Sequence, residues 1–205
     1  AAYAAALEPL ARRLAPVSVV SHSMGAFPAL LLAARAPAAV RSVALLSPAP
    51  LSVDRRDRRL AALPVAGPWL SALRLTPWRR DEDRVLESFV RAAAHPGRLE
   101  ATSEAVLLAR ETTRRLRATP VRVLARSASH ALRTDARSLA RRVPQPSLVV
   151  VGACDRVGTP SEARALAAAL PVGRLVELPG CGHFLFVECP DALAAVLVPH
   201  LRGAA

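Results

Sequence analysis

A chain of 205 residues is long enough to bury one core, with or without an inserted subdomain. Because 52% of the residues are hydrophobic and only 3% aromatic, that core must consist mainly of Ala, Leu and Val. The net charge of +12 does not indicate a nucleic-acid partner, since the Arg residues are dispersed and aromatic side chains do not interleave with them. Lys, Ile and Asn, which have A/T-rich codons, do not occur, and their absence together with abundant Arg is typical of a G+C-rich coding sequence. With no signal peptide and no apolar run of the roughly 20 residues that span a bilayer, we expect a cytoplasmic protein without a membrane partner.

The elements at the start of the chain alternate between helix and strand. Helical spacing of Ala and Leu ends before Pro16, a short β-branched strand follows, and a second helix and a second strand come next. The residue pattern changes after this second strand, because the segments from 53 to 143 are charged, amphipathic and helical. Only "PVRVLA" is ambiguous between helix and strand. Strand and helix then alternate again. The predicted elements are helix 1–14, strand 17–20, helix 25–35, a strand from 40, strand 146–152, a helix over "SEARALAAAL", strand 173–180 and a helix over "CPDALAAVLVPHLR".

This order predicts an α/β fold with a mostly parallel sheet that is covered by helices on both faces. Residues 1–52 and 144–205 would form the sheet and its helices. Residues 53–143 would be a helical insertion between two of its strands.

The stretch "SHSMG" joins the first predicted strand to the next helix with no room for an ordinary loop. Such a sharp turn raises the Ser23 hydroxyl above the strand end and needs small residues two places to either side, which are Ser21 and Gly25. It also directs the Met24 amide, at the helix N-terminus, toward a developing oxyanion. A serine that merely caps the helix is the alternative.

A serine hydroxyl is a poor nucleophile without a base to remove its proton. His183 is the candidate base, because it follows a strand end and a glycine turn in "LPGCGHFLFV", where ligands bind in open α/β sheets. The pleat of the strand predicts that His22 points away from Ser23. The remaining histidines lie on or beside polar helices and are predicted at the surface: His95, His130 and His200.

The base needs a carboxylate that orients its other ring nitrogen. Asp155 follows the strand "SLVVVG" and would lie beside the His183 loop if the two strands are neighbours. Asp54 is the competing acid, but it lies among Arg residues in "VDRRDRR", which is typical of a solvated face.

The stretches around Ser23, Asp155 and His183, with the strand from residue 40, resemble the α/β-hydrolases that carry an inserted helical lid. The order Ser, Asp, His along the chain is that of this family. The resemblance covers about two-fifths of the chain. It implies that Ser23 is the nucleophile, Asp155 the acid and His183 the base, with Met24 supplying one oxyanion amide. It also implies a small-molecule ester-like substrate and no cofactor, whereas the oligomeric state does not follow from it.

The chain departs from the family pattern at Ser21 and Ala26, where glycine is common, and both replacements are small. The family has further strands before the nucleophile strand, and a second oxyanion amide comes from a loop after one of them. We therefore expect that the sequence begins inside the domain and that an N-terminal part is missing from it.

The number and spacing of the three cysteines do not indicate a disulfide framework, which fits a reduced cellular compartment. Cys154 and Cys181 each end a neighbouring strand and are the candidate pair for a disulfide. Together with Asp155 and His183 they also resemble a zinc set in residue type, but the catalytic interpretation explains both loops and no metal is expected.

The leading hypothesis is a serine hydrolase acting on a carboxylic ester or related acyl bond through an acyl-enzyme. Peptidase and carbon–carbon bond hydrolase activities of the same fold remain open at this point. A non-catalytic binding module is the alternative from another class. The lid residues name no substrate, and its aromatic residues suit a pocket wall or simple packing equally well: Trp69, Trp78 and Phe89.

Overall fold

A computed structural model of the chain describes residues 2–48, 93–95, 107, 111, 114–115, 118–120, 123 and 134–203. The chain divides into two compact units, of which the first contains residues 1–52 and 135–205 and the second residues 53–134.

The first unit contains a four-stranded sheet whose strands follow one another in space as they do in the chain. Every neighbouring pair is parallel. β3 is buried along its whole length and apolar after Ser147, as expected for a parallel strand covered on both faces, whereas β1 is only partly buried. The strands are β1 (Val17–His22), β2 (Val40–Leu46), β3 (Ser147–Gly152) and β4 (Gly173–Leu178).

Local signals in the sequence begin and end the helices of this unit. Asp135 caps α3, because its side chain accepts hydrogen bonds from the backbone amides of Arg137 and Ser138. Thr159 and Glu162 form a reciprocal capping box at the start of α4. The described helices are α1 (Ala2–Leu14), α2 (Ala26–Arg35), α3 (Ala136–Ala140), α4 (Pro160–Ala167), α5 (Leu185–Glu188) and α6 (Pro190–Arg202), with 3₁₀ turns at Ser23–Gly25 and Pro37–Ala39.

Alternate residues of the central strands bury the two faces of the sheet. Ala44, Leu46, Leu148 and Val150 pack in one cluster with Leu193 of α6. The residues between them face the opposite side by strand alternation, and α2 packs on β1 and β2 while α4 packs on β3 and β4. The sheet and its helical cover confirm the predicted fold class.

His200 is buried, so its predicted surface position is wrong. Its Nε2 donates a hydrogen bond to the carbonyl oxygen of Val43 at 3.0 Å. The physical reason is helical spacing, because His200 lies two turns after Leu193 on the side of α6 that packs on the sheet. His130 lies outside the described residues, and so does Asp54.

The second unit is described at isolated positions, and those at 93, 107, 111, 114, 115, 118 and 123 are helical. The predicted lid over 53–143 therefore falls largely outside the described residues, as do Trp69, Trp78 and Phe89. Its last residues, from 135, belong to the first unit and include α3. None of the helices in the described ranges combines the length and hydrophobicity needed to cross a bilayer.

Candidate active site

The turn after β1 holds Ser23 in an unusual backbone conformation. Its φ of 53° lies in the left-handed region, which residues other than glycine seldom adopt and which is often found at functional sites. A Cβ built on Gly25 would lie 3.4 Å from the Cβ of Ser21, so the two positions face each other across the turn. Met24 follows Ser23 in the 3₁₀ turn Ser23–Gly25, and this turn leads directly into α2. The local geometry is that of the sharp strand-to-helix turn predicted from "SHSMG".

The loops after β3 and β4 bring an acid and a histidine to the same edge of the sheet as Ser23. His183 Nδ1 lies 2.9 Å from Asp155 Oδ2, and His183 Nε2 lies 3.1 Å from Ser23 Oγ. If Nδ1 carries the proton that it donates to the carboxylate, Nε2 is free to accept from the serine hydroxyl. The structure therefore brings the three predicted residues together in one hydrogen-bonded chain.

Asp155 is held as an ionised acceptor. Its second oxygen, Oδ1, accepts hydrogen bonds from the backbone amides of Val157 and Gly158 at 2.8 and 2.9 Å. Burial acts to raise the pKa of this carboxyl, but the hydrogen bond and charge of His183, with the two amides, outweigh it and lower the pKa below its ordinary value. Asp155 is only 4% exposed and His183 only 2%, so water does not screen their interaction.

His22 contacts His183, a contact that no sequence pattern predicted. Its Nε2 donates a hydrogen bond to the backbone carbonyl oxygen of His183 at 2.9 Å, and the two ring centroids are 4.8 Å apart. Burial is the main cause that lowers the pKa of His22, so the ring is held neutral. The pleat of β1 carries no information about the His183 loop that folds against this side chain.

Glu188 was not singled out in the sequence, although it is 4% exposed and contacts both neighbours of His183. One of its oxygens accepts from the amide of Gly182 at 2.7 Å, and the other accepts from the amide of Phe184 at 2.9 Å. The available signal was a lone acidic residue inside the apolar run "FLFVEC".

Cys181 forms a disulfide with Cys189, their Cα atoms being 6.2 Å apart, and Cys154 is a free thiol. The predicted pairing of Cys154 with Cys181 is therefore wrong. Those two residues share a backbone hydrogen bond, in which the Cys154 amide donates to the Cys181 carbonyl at 2.9 Å. Among the described residues, no group of three or more His, Cys, Asp or Glu side chains is arranged to hold a metal ion.

Comparison with known proteins places the chain in a family. Residues 1–196 match the model of the alpha/beta hydrolase family. The protein BpoC of Mycobacterium tuberculosis, whose name assigns it to the non-heme bromoperoxidases, is 31% identical over 90% of this chain and 68% of its own length. The pimeloyl-(acyl-carrier protein) methyl ester esterase of Neisseria meningitidis is 28% identical over 98% of this chain and 75% of its own length.

Solved structures agree with these sequence matches. The crystal structure of BpoC superposes with a TM-score of 0.71 at 26% identity, covering 98% of this chain and 72% of that one. A thermophilic esterase from Thermogutta terrifontis superposes with a TM-score of 0.73 at 20% identity, covering 98% and 71%, and shares the fold. The chain is a member of the alpha/beta hydrolase family.

Proposed function

We propose that this chain is a serine hydrolase that cleaves a carboxylic ester, or a related acyl bond, through a covalent acyl-enzyme. The observation that carries the proposal is the continuous hydrogen-bonded chain from Asp155 through His183 to Ser23. A serine becomes a competent nucleophile when a base contacts its hydroxyl and a third group orients that base, and the three residues have this relation.

In the acylation step, Ser23 Oγ attacks the ester carbonyl carbon while its proton passes to His183 Nε2. The imidazolium that forms is stabilised by Asp155, which accepts from Nδ1 and stays ionised. The tetrahedral intermediate collapses when the bond to the leaving alkoxide breaks and His183 gives that oxygen its proton. The products of this half-reaction are an alcohol and an ester of Ser23.

In the deacylation step, a water molecule gives a proton to His183 Nε2 and its oxygen attacks the acyl carbon. The bond to Ser23 Oγ breaks, and the serine recovers the proton from the imidazolium. The carboxylic acid leaves and the site returns to its first state.

We assign the backbone amide of Met24 as one donor to the oxyanion of both intermediates. The support is its position, directly after the nucleophile and in the turn that opens α2, where helix-terminal amides are not used by the helix itself.

An ester is favoured over a peptide or a carbon–carbon bond because the Neisseria relative is named as a methyl ester esterase. We also propose that residues 53–134 act as a lid that selects among small-molecule esters, since this second compact unit is inserted in the sequence between β2 and β3.

Fluorophosphonate labelling tests the proposal together with turnover of an activated ester such as 4-nitrophenyl butyrate. The probe should label Ser23 in the folded protein. Ser23→Ala and His183→Ala should each abolish hydrolysis, and the double variant should be hardly slower, because residues that act as a unit give strongly non-additive losses. A folded protein without label on Ser23 would favour the non-catalytic binding module, and losses that multiply would contradict a triad.

A further inference from the structure

The backbone around His183 is held by side chains rather than by regular secondary structure. Residues 181–184 belong to neither a helix nor a strand. Three backbone polar groups of this segment, the Gly182 amide, the His183 carbonyl and the Phe184 amide, nevertheless have side-chain partners, which are Glu188 and His22. Two of the three partners are the two oxygens of one carboxylate.

Glu188 reaches both amides because α5 folds back on the segment that precedes it. The amides of Val187 and Glu188 donate to the Phe184 carbonyl, which closes the turn and returns the Glu188 side chain toward His183. A carboxylate can accept with both oxygens at once, whereas an amide side chain offers one acceptor and one donor. The two amides on either side of His183 therefore match a carboxylate in this position.

A buried carboxylate is costly unless hydrogen bonds compensate for its lost hydration. Bonds from donors to an ionised acceptor are short and strong, and the distances of 2.7 and 2.9 Å are in that range. Helix α5 begins at residue 185 and the disulfide joins the side chains of residues 181 and 189, so the backbone bonds of the helix and the disulfide supply no partner to the amides of Gly182 and Phe184. Gly182, directly before the histidine, gives that backbone wide conformational freedom.

We propose that Glu188 is a positioning residue that fixes the backbone of His183 and thereby holds Nε2 at the Ser23 hydroxyl. This inference rests on the proposed function, since it assigns to Glu188 the positioning of the proposed catalytic base. The effect is sensitive because a displacement of about 1 Å at a reacting group can reduce the rate about 100-fold. His22, the last residue of β1, contacts the His183 carbonyl and restrains the same segment.

The test compares Glu188→Gln with the wild type on an activated ester. Glutamine has nearly the same size, but its NH₂ group faces an amide N–H and one of the two hydrogen bonds is lost. We expect kcat to fall about 10- to 100-fold while KM changes less than about twofold, because the base and not the substrate is displaced. Glu188→Asp keeps the charge but is one methylene shorter, and its kcat should fall between those of the wild type and Glu188→Gln.

Glu162→Gln is the matched control, because it removes a capping carboxylate from α4 without touching the His183 segment. It should lower stability by a capping increment and leave kcat within about twofold of the wild type. Unfolding curves of every variant, recorded under the assay conditions, allow kcat to be expressed per folded molecule.

A second readout does not depend on turnover. The proton between His183 Nδ1 and Asp155 gives its own downfield NMR resonance in a well-ordered pair, and we expect this resonance in the wild type and in Glu162→Gln but broadened or shifted in Glu188→Gln. If wild type and folded Glu188→Gln share the same kcat and the same resonance, the inference is wrong. If Glu188→Gln does not fold, wild-type kcat in Glu188→Asp overturns it. A wild type that neither hydrolyses the ester nor takes the fluorophosphonate label contradicts the proposed function, and an unchanged resonance in Glu188→Gln then separately contradicts the positioning of His183.

Discussion

Asp155 contacts His183 with one carboxylate oxygen and two backbone amides with the other. Replacement by Asn keeps the shape of the side chain but removes the charge that stabilises the imidazolium, and it can hold the wrong tautomer of the ring. In the Ser-His-Asp template the same change lowers turnover about 10⁴-fold. We expect a loss of that order for Asp155→Asn at neutral pH, measured as kcat on one activated ester with circular dichroism to confirm folding.

Asp54→Asn is the control for this prediction. The sequence predicts a solvated position for Asp54 among Arg residues, so its replacement should change turnover by less than about threefold, under roughly 1 kcal/mol in barrier. If Asp54→Asn is inactive and Asp155→Asn retains turnover, the orienting acid has been assigned to the wrong strand.

His22 makes the stability of the protein depend on pH. Its pKa is lowered from 6.5, with burial as the largest cause, so the unfolded chain binds a proton at a pH where the folded chain does not. The stabilising contribution is complete above about pH 6.5 and is lost as the pH falls toward the lower pKa of the folded state. Lowering the pH from 7.5 to 5.5 should therefore destabilise the wild type more than His22→Gln, whose amide can still donate to the His183 carbonyl.

Urea unfolding at the two pH values measures this difference. Because the other titrating groups are common to both proteins, the change in free energy of unfolding between them isolates residue 22. Equal losses in wild type and variant would mean that His22 has the same proton affinity in the folded and unfolded chains.

At the scale of the elements, the sequence predicted each strand and the long helices that the structure describes in the first unit, because each signal was local. β3 and α4 are examples, since an apolar β-branched run and the run "SEARALAAAL" are each readable within a few residues. The order of these elements predicted that the Asp155 and His183 loops would meet if β3 and β4 are neighbours, and they are. Helix α5 was missed, because its four residues carry no helical period.

Errors arose where a contact depends on how two elements pack. The hydrogen bond between His200 and Val43 depends on which face of α6 meets the sheet, and the pairing of Cys181 with Cys189 depends on how the segment after β4 folds back. The contact of His22 with the His183 loop was not predicted for the same reason. No local pattern contains that information, and for Glu188 the decisive partners are backbone amides that have no sequence signature at all.

Gly152, the last residue of β3, lies against the segment that follows β4. A Cβ at this position would stand 2.3 Å from the carbonyl oxygens of both Cys181 and Gly182, and these backbone atoms cannot move away independently of His183. We expect Gly152→Ala to reduce the free energy of unfolding by about 1–3 kcal/mol, the usual penalty of overpacking, and to lower kcat because the base is displaced.

Ala153→Ser is the matched control, since residue 153 is exposed and adjacent in sequence. Its unfolding curve and kcat should stay close to those of the wild type. Wild-type kcat in Gly152→Ala would show that the segment moves without displacing His183, contrary to the coupling that we expect between the two strand ends.

At the scale of the whole molecule, the excess of Arg is partly matched by local carboxylates. Glu8 on α1 pairs with Arg12 and with Arg35 of α2, and Glu177 pairs with Arg164. Each pair has an exposed Arg partner, so each contributes little to stability. Such surface pairs are expected if the Arg residues mainly solvate helix faces. The absence of a nucleic-acid partner remains a prediction.

The division into two units gives a prediction about substrate choice. The residues assigned chemical roles, Ser23, Met24, Asp155 and His183, all belong to the first unit, whereas residues 53–134 form the second. If the second unit acts as a lid that contacts the acyl chain, its removal should affect long substrates and spare the chemistry. Each buried methylene contributes about 0.8 kcal/mol, so a four-methylene difference between butyrate and octanoate esters amounts to at most about 3 kcal/mol, or about 200-fold in kcat/KM.

Replacing residues 53–134 by a flexible Gly/Ser linker tests this expectation. We expect the ratio of kcat/KM for the octanoate over the butyrate ester to fall about tenfold or more, because the apolar contacts with the added methylenes are lost. Fluorophosphonate labelling of Ser23 should persist, since the nucleophile, base and acid are retained, and circular dichroism must show that the strands and helices of the first unit remain. An unchanged octanoate-to-butyrate ratio in the folded variant would contradict a selecting lid, and loss of labelling in that variant would mean that residues 53–134 supply a group required by the chemistry.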